Sequence, residues 1–365
     1  MKQVLKYVGY LLLLFVLGFM IWRFSFMIVW IVIAAVISFI GHPIVRFLDT
    51  VRFRKWSLPH SLSTALALIL IVLVFFGVLA VFVPLIMQQA ETISKIDVKL
   101  LAKNLQGPLQ WLKDEMHSFD VIPDGQTVQD FIVIKAKTLV NIGNVTTVIN
   151  TLFNAAGTVF VGLFSVLFIS FFFLKDEHLF QNSILLLIPE KHHDASLKVM
   201  SDSNNLLRRY FIGVLLEVLG VMSIIALGLW ILGVENALLI GFFGGIMNII
   251  PYLGPVIGAG IAITLGITGT LAVAAYNDLL SVLAKLGGVL LVANFIDNNI
   301  LVPMIYSKSV KAHPLEIFFV IIMGGSLAGL TGMLLAIPVY TVLRVIAKAF
   351  FSQFRVVQKL TNKID

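Results

Sequence analysis

The chain has 365 residues, 59% hydrophobic and only 12% charged, with a mean hydropathy of +1.01. Soluble domains average about 25% charged residues, so the length is not read as two soluble domains, and repeated apolar runs of about 20 residues point to a helical membrane protein. The net charge of +7 is spread between those runs as a topology signal and not as a nucleic-acid patch, and the lack of cysteine excludes disulfides and thiol chemistry.

Lys2 and Lys6 ahead of Val8–Trp22 have the form of a signal peptide. No small-x-small cleavage site follows, and a second run, Phe26–Ile40, begins almost at once. The pair is therefore expected to remain as a helical hairpin turning at Arg23–Ser25. Leu62–Met87 completes three spans within residues 1–88. Residues 89–150 are polar and extramembrane. There Ile93, Ile96, Leu100 and Leu101, then Leu105, Leu109, Leu112 and Met116, recur at three- and four-residue steps, and residues 128–140 do so more weakly. Gly107-Pro108 kinks or ends the first amphipathic helix, and Pro123-Asp124-Gly125 is a turn. This pattern speaks of a helical cap packed on the bundle or on a neighbouring subunit; a substrate-capturing domain is the sharper alternative.

Residues 151–365 read as the transport core. Apolar runs resume at Leu152–Leu174, pass a cytoplasmic linker at 175–210, and continue with Phe211–Val234, the interrupted stretch Ala237–Ala275, Leu279–Ile296 and Leu315–Phe351. The last is too long for one span. It is weakened between 324 and 338 by Gly324, Gly325, Gly329, Gly332 and Pro338, which suit a second pair of short helices. The glycines serve either as hinges or as close-packing positions. The expected fold is all-α: a polytopic transmembrane bundle of about eight spans, with broken or re-entrant helices in its C-terminal half and a small helical extramembrane region. Strand alternation is absent, which sets a membrane barrel aside.

Lys and Arg fix the expected orientation. With the N-terminus inside, the inner connections hold Arg46, Arg52, Arg54 and Lys55, then Lys175, Lys191, Lys198, Arg208 and Arg209, and finally Arg344 to Lys363. The outer ones hold fewer, Arg23 and the lysines of 95–137. Both termini are expected to be cytoplasmic. That requires Ala237–Ala275 and Leu315–Phe351 either both to return to their side of entry or both to cross.

The break at 248–255 reads Asn-Ile-Ile-Pro-Tyr-Leu-Gly-Pro inside an apolar stretch. Hydrocarbon offers no water to backbone groups, so a broken helix belongs where protein or a wet cavity covers it. Asn248, Pro251, Tyr252, Gly254 and Pro255 are placed in a solute or ion pathway on that ground; the bland alternative is a tight loop with Asn248 as a helix cap. Glu217 lies inside the run Phe211–Val234, where an ionisable group is expensive and functional by default. It either carries a coupling proton or ion, or makes a structural bond between helices. Asp297, Asn298 and Asn299 close the run Leu279–Ile296, with Asn294 one turn earlier. Their oxygens suit a hard cation or a polar solute, the alternative being C-capping. Lys285 pairs with Glu217 or Asp278, or snorkels. Asn248–Pro255 and Asp297–Pro303 are expected to share one cavity.

Histidine adds little. His192-His193 lie on a polar stretch without partners at metal spacing, and His313 precedes Pro314 at a turn or helix start. No metal site and no cofactor are implied. No phosphate-binding glycine loop, nucleotide motif or Ser-His-Asp set is present, so neither catalysis nor ATP-driven transport is expected.

Taken together, His42-Pro43, Arg46 and Leu48-Asp49; Phe171-Phe172-Phe173-Leu174-Lys175-Asp176; Asn248 to Pro255; Asp297-Asn-Asn-Ile-Leu-Val-Pro303; and His313-Pro314 with the later glycines and Ala336-Ile337-Pro338 resemble the autoinducer-2 exporter family of bacterial membrane proteins, also called PerM-like permeases. The resemblance covers nearly the whole chain. It implies a multi-pass protein of the bacterial inner membrane, embedded in the lipid bilayer and homo-oligomeric, a pentamer included, that exports a small polar signal such as autoinducer-2. Some relatives are similar to sodium–proton antiporters. Three functions stay open on these residues: a secondary exporter of a small polar solute, a sodium(potassium)/proton antiporter and a membrane scaffold. Nucleic acid is not an expected partner.

Overall fold

The computed structural model describes residues 18–19, 23–50, 52–53, 56–95, 156–176, 179–186, 188–272, 279–306, 313–351 and 358. The expected first span at Val8–Trp22 lies outside them apart from Gly18 and Phe19, as does the polar region from 96 to 150. The described chain is helical apart from one two-residue antiparallel pair, Arg52–Phe53 with Trp56–Ser57. It divides into two compact units, Met1–Val74 with Asn154–Ser196, and Phe75–Phe153 with Leu197–Asp365.

The first unit holds α1 (Ser25–Thr50), the start of α2 (His60–Lys95), α3 (Ala156–Lys175) and the short α4 (Leu179–Leu185). Its core is Val45, Ala67, Leu68 and Leu174, with Ile37, Ile44, Leu48 and Phe171 packed around them. Leu174 belongs to the Phe171–Asp176 motif, so that motif plugs the core. Gly41 lets the helices close up, since a Cβ there would meet Ile71 and Leu174 at 3.2 Å. Ser170 is fully buried and satisfied, bonding back to Val166 O at 2.7 Å and across to Ala34 O at 3.3 Å.

The second unit is built on α5, His193–Ile231, a single helix of 39 residues. The expected linker at 175–210 is thus helical in its later half and continuous with the apolar run. α6 (Ala237–Met247) returns along α5: Cβ atoms at Gly241 and Gly245 would strike Met222 and Ala226, then Met222 and Val218. Bare glycine backbone brings the two helices close, in the manner of small residues at membrane helix interfaces. α6 is only 11 residues long, about 16 Å, against roughly 30 Å of hydrocarbon. α7 (Leu253–Ala272) folds back on α6, Gly258 lying against Gly244 and Gly269 against Asn236. α6 and α7 therefore form a hairpin that re-emerges where it entered.

α8 (Leu279–Ile296) runs antiparallel to α5, with Gly228 facing Val289 and Gly220 facing Leu301. It passes through a π-helical turn, Asp297–Leu301, into the short α9 (Val302–Tyr306). α10 (Pro314–Phe351) is itself a hairpin. Helical geometry fails at Ala328 (φ −142°, ψ 25°) and Gly329 (φ 57°, ψ −140°). Gly324 and Gly332 sit so close that a Cβ on either would strike the other's carbonyl; a straight helix would hold them about 12 Å apart. Tyr340 Oη donates to Glu316 Oε2 at 2.7 Å across the two legs. Both stretches whose route the sequence leaves open therefore double back.

Among the described residues, six helices can cross a membrane by length and composition: Phe26–Thr50, His60–Ile93, Glu190–Ile231, Leu253–Thr270, Leu279–Met304 and the folded-back Pro314–Phe351. Two shorter apolar helices, Val159–Lys175 and Ala237–Met247, accompany them. Large apolar side chains such as Leu73, Phe160, Trp230, Leu291 and Phe319 are exposed along them, as a lipid-facing surface requires.

Candidate functional site

Because α6 descends beside α5, its C-terminal residue Asn248 arrives level with Glu217. Because α8 descends beside α5 as well, Asp297 arrives at the same place. Asn248 Nδ2 donates to Asp297 Oδ2 at 3.0 Å and to Glu217 Oε1 at 3.3 Å. The three side chains are 5%, 5% and 4% exposed for Asn248, Asp297 and Glu217 respectively. One amide group thus holds two carboxyls from two helices in a buried setting. Asp297 Oδ1 is buried with no hydrogen-bond partner among the described residues. Tyr210 lies two turns before Glu217 on the same face and is buried too.

The local backbone explains how these groups are aimed. Asn248 is helical (φ −63°, ψ −11°) and its N–H bonds to Gly244 and Gly245 carbonyls, so its side chain is free of capping and points at the acids. The break that follows satisfies its own backbone. Ile249 N–H bonds to Ile246 O, Ile250 N–H to Met247 O, and Gly254 N–H to Ile250 O at 2.8 Å. What joins the Asn248–Pro255 and Asp297–Pro303 motifs is the Asn248 side chain. Tyr252 takes a left-handed conformation (φ 67°), is exposed, and sets its ring 6.3 Å from that of Phe318. Gly254 must be glycine, because a Cβ would collide with the Met247 carbonyl. Pro251 and Pro255 are half-buried, and Pro255 falls in the first turn of α7, where no N–H is missed. Asp297 opens the π-helical turn, a distortion that often marks functional positions.

The other expected residues are not brought to this place. Asn294, Asn298 and Asn299 are exposed. Asn298 Nδ2 bonds back to Asn294 O at 2.9 Å and to Asn294 Oδ1, and Asn299 Nδ2 bonds to Phe295 O at 2.8 Å. They cap no helix end, since the chain continues as helix through the π turn. Lys285 stands three turns before Asp297 and makes no ion pair among the described residues; Asp278 lies outside them. Gly324, Gly325 and Gly332 pack at close range within α10, Gly329 occupies its turn, and Pro338 is buried in its second leg. His193 bonds Ile188 O at 2.8 Å through Nε2.

Sequence reasoning missed the glycines that position Asn248, and elsewhere the burial of Arg344. Gly241, Gly244 and Gly245 carry Asn248 to the level of Glu217, and the small-residue spacing was the available signal. Arg344, counted only as a topology charge, is buried with its guanidinium 5.5 Å from the Tyr340 ring centroid. The contact with Tyr340 is a local one, four residues apart on one leg of α10; what the spacing did not show is that this face is buried.

The family model for the AI-2E family transporter matches residues 10–352. This chain belongs to that family. Two similar proteins of Bacillus subtilis (strain 168) bear the name "Putative transport protein". YueF is 31% identical over 332 residues, covering 87% of this chain and 82% of its own, and YrrI is 29% identical over 297 residues, covering 80% of each. The "Putative permease PerM" of Escherichia coli (strain K12) is 27% identical over 197 residues, 53% of this chain and 52% of its own. The AI-2E membership makes the chain a multi-pass membrane transporter embedded in a lipid bilayer. Its buried carboxyl pair falls within the matched residues.

Proposed function

We propose that this protein is an ion-coupled secondary transporter of the bacterial inner membrane that exports a small polar solute of the autoinducer-2 kind, with Glu217 and Asp297 carrying the coupling proton or sodium ion. One observation carries the reading: a single amide, Asn248, joins two buried carboxyls from α5 and α8. Carboxylates brought together repel when both are ionised. A shared proton or a small cation relieves that repulsion and gives the pair two states of different charge. Acids are rarely kept inside membrane spans without such a use. The solute and the outward direction rest on the family, not on this geometry. Cytoplasmic termini rest on the excess of Lys and Arg in the inner connections, and homo-oligomeric assembly rests on the resemblance.

Sodium–proton antiport is the second reading. It is favoured by Asp297 Oδ1, an acidic oxygen left open to a cation. Purified protein in liposomes separates the two. Counterflow of labelled autoinducer-2 that disappears in Glu217→Gln, at normal expression and oligomer size, is the expected result for export. Gln keeps hydrogen bonding but loses the titratable oxygen. Cation-driven proton movement without solute supports antiport instead. Wild-type transport by Glu217→Gln overturns the assignment of the ion to this pair, and neither activity in the wild type returns the scaffold reading.

A further inference from the structure

Tyr210 takes no part in the coupling proposed above, yet it stands in line with it. Ser203, Tyr210 and Glu217 follow one another at seven-residue steps along α5, and all three are buried. Seven residues are close to two helical turns, so the three share one face and stand about 10.5 Å apart along the axis. Helical side chains lean towards the N-terminus of their own helix. Glu217 therefore leans towards Tyr210, and Tyr210 leans towards Ser203. The charge of Glu217 is felt at the Tyr210 phenol.

Packing alone gives the Tyr210 hydroxyl nothing to do. Its neighbours in the core are Ile250, Ile321, Ala336 and Ile337, against which a phenylalanine ring would pack as well. A buried tyrosine has a polar end to place as well as a ring. Arg208 and Arg209 point about 200° and 100° away from its face of α5, and Arg344 lies two turns beyond Ile337 on α10. Ser203 Oγ is buried with no hydrogen-bond partner among the described residues. A helical serine has a carbonyl one turn back within reach, and Ser170, Thr270 and Thr341 each take theirs. Ser203 does not. On either side of it Ser201 and Asn205 are exposed, so Ser203 marks where the buried face of α5 meets its polar start.

We infer that Tyr210 relays protons between Glu217 and the start of α5 at Ser203. The inference rests on the coupling role given to the carboxyl pair, and it puts a proton on that pair whether the protein exports or antiports. A hydroxyl accepts a proton on its oxygen, releases its own on the far side and returns neutral. One proton enters at Ser203 and one arrives at the Glu217 carboxylate, with no other bond changed. Water bridges the stretches longer than one hydrogen bond.

The full chain in detergent tests the relay without any solute. A caged acid released by a light flash lowers the pH, and the infrared band of protonated carboxyl groups is followed in time. The band should rise in the wild type, and the double variant Glu217→Gln, Asp297→Asn should lose the part that belongs to the pair. Tyr210→Phe keeps the ring and should reach the wild-type endpoint about tenfold more slowly or worse. Ser203→Ala removes a hydroxyl that has no partner among the described residues, so it should melt like the wild type and slow the rise as well. It decides alone if Tyr210→Phe does not fold. A rise at the wild-type rate in the deciding variant overturns the relay and leaves the coupling role standing. So does a shifted endpoint at an unchanged rate, which would make Tyr210 a neighbour that only tunes the pair. No band from the pair in the wild type overturns the relay and the coupling role together.

Discussion

The second unit breaks its helices twice, and the two breaks are made differently. Between α6 and α7 the interruption uses Pro251, a left-handed Tyr252 and Gly254, and it delivers a polar side chain, Asn248, to two buried acids. Within α10 it uses glycines, and what meets at the turn is backbone against backbone, Gly324 on Gly332. The first break carries chemistry; the second carries shape. They meet in one apolar cluster, where Ile250 of the first packs with Ile321, Ala336 and Ile337 of the second and with Tyr210 and Val214 of α5. Interrupting a membrane helix is therefore no sign of a site by itself. The polar side chain delivered at the interruption is the better indicator.

That contrast can be broken at either end. The largest effect is expected from Gly332→Ala. Its Cβ would strike the Gly324 carbonyl, and overpacking of this kind costs about 1–3 kcal/mol or more. The variant should lose monodisperse protein in size-exclusion chromatography, whereas Gly287→Ala, with open space around its Cβ, should not. Asn248→Ala comes next. Loss of a hydrogen bond to a charged group costs about 1.5–3 kcal/mol, so the melting midpoint should fall by several degrees and transport in liposomes should collapse. Transport at the wild-type rate would reduce the first break to shape as well. The smallest effect is expected from Asn298→Ala. Its amide bonds only within its own helix, so stability should move by less than about 0.5 kcal/mol, and transport should stay within twofold. A larger loss would extend the site to the exposed face of α8.

Much of this fold is legible in the sequence because apolar runs and their interruptions are local signals. Leu62–Met87 and Leu279–Ile296 fall inside the helices α2 and α8, and Phe211–Val234 lies in α5 except for its last three residues, which turn towards α6. Glu217, Asn248 and Asp297 stand out singly because a polar residue in an apolar run needs no partner to be noticed. Their convergence is not legible. It depends on which helix α6 returns along, and that is set by Gly241 and Gly245 meeting Met222. The asparagines beside Asp297 mislead for a related reason. Position in the chain puts Asn298 and Asn299 next to the acid, while helical rotation turns them outward. The same rotation buries Arg344, which composition alone would leave among the loop charges.

The rung between Tyr340 and Glu316 joins residues 24 apart in the chain. With Gly324 against Gly332 near the turn, the two legs of α10 are fastened at both ends, like a ladder closed top and bottom. Such a frame resists being pried apart at either end alone. Any rearrangement of this part of the molecule that leaves the rung intact must carry both legs together, so a force applied to one leg is felt at the cluster around Ile250 as the movement of a single stiff piece.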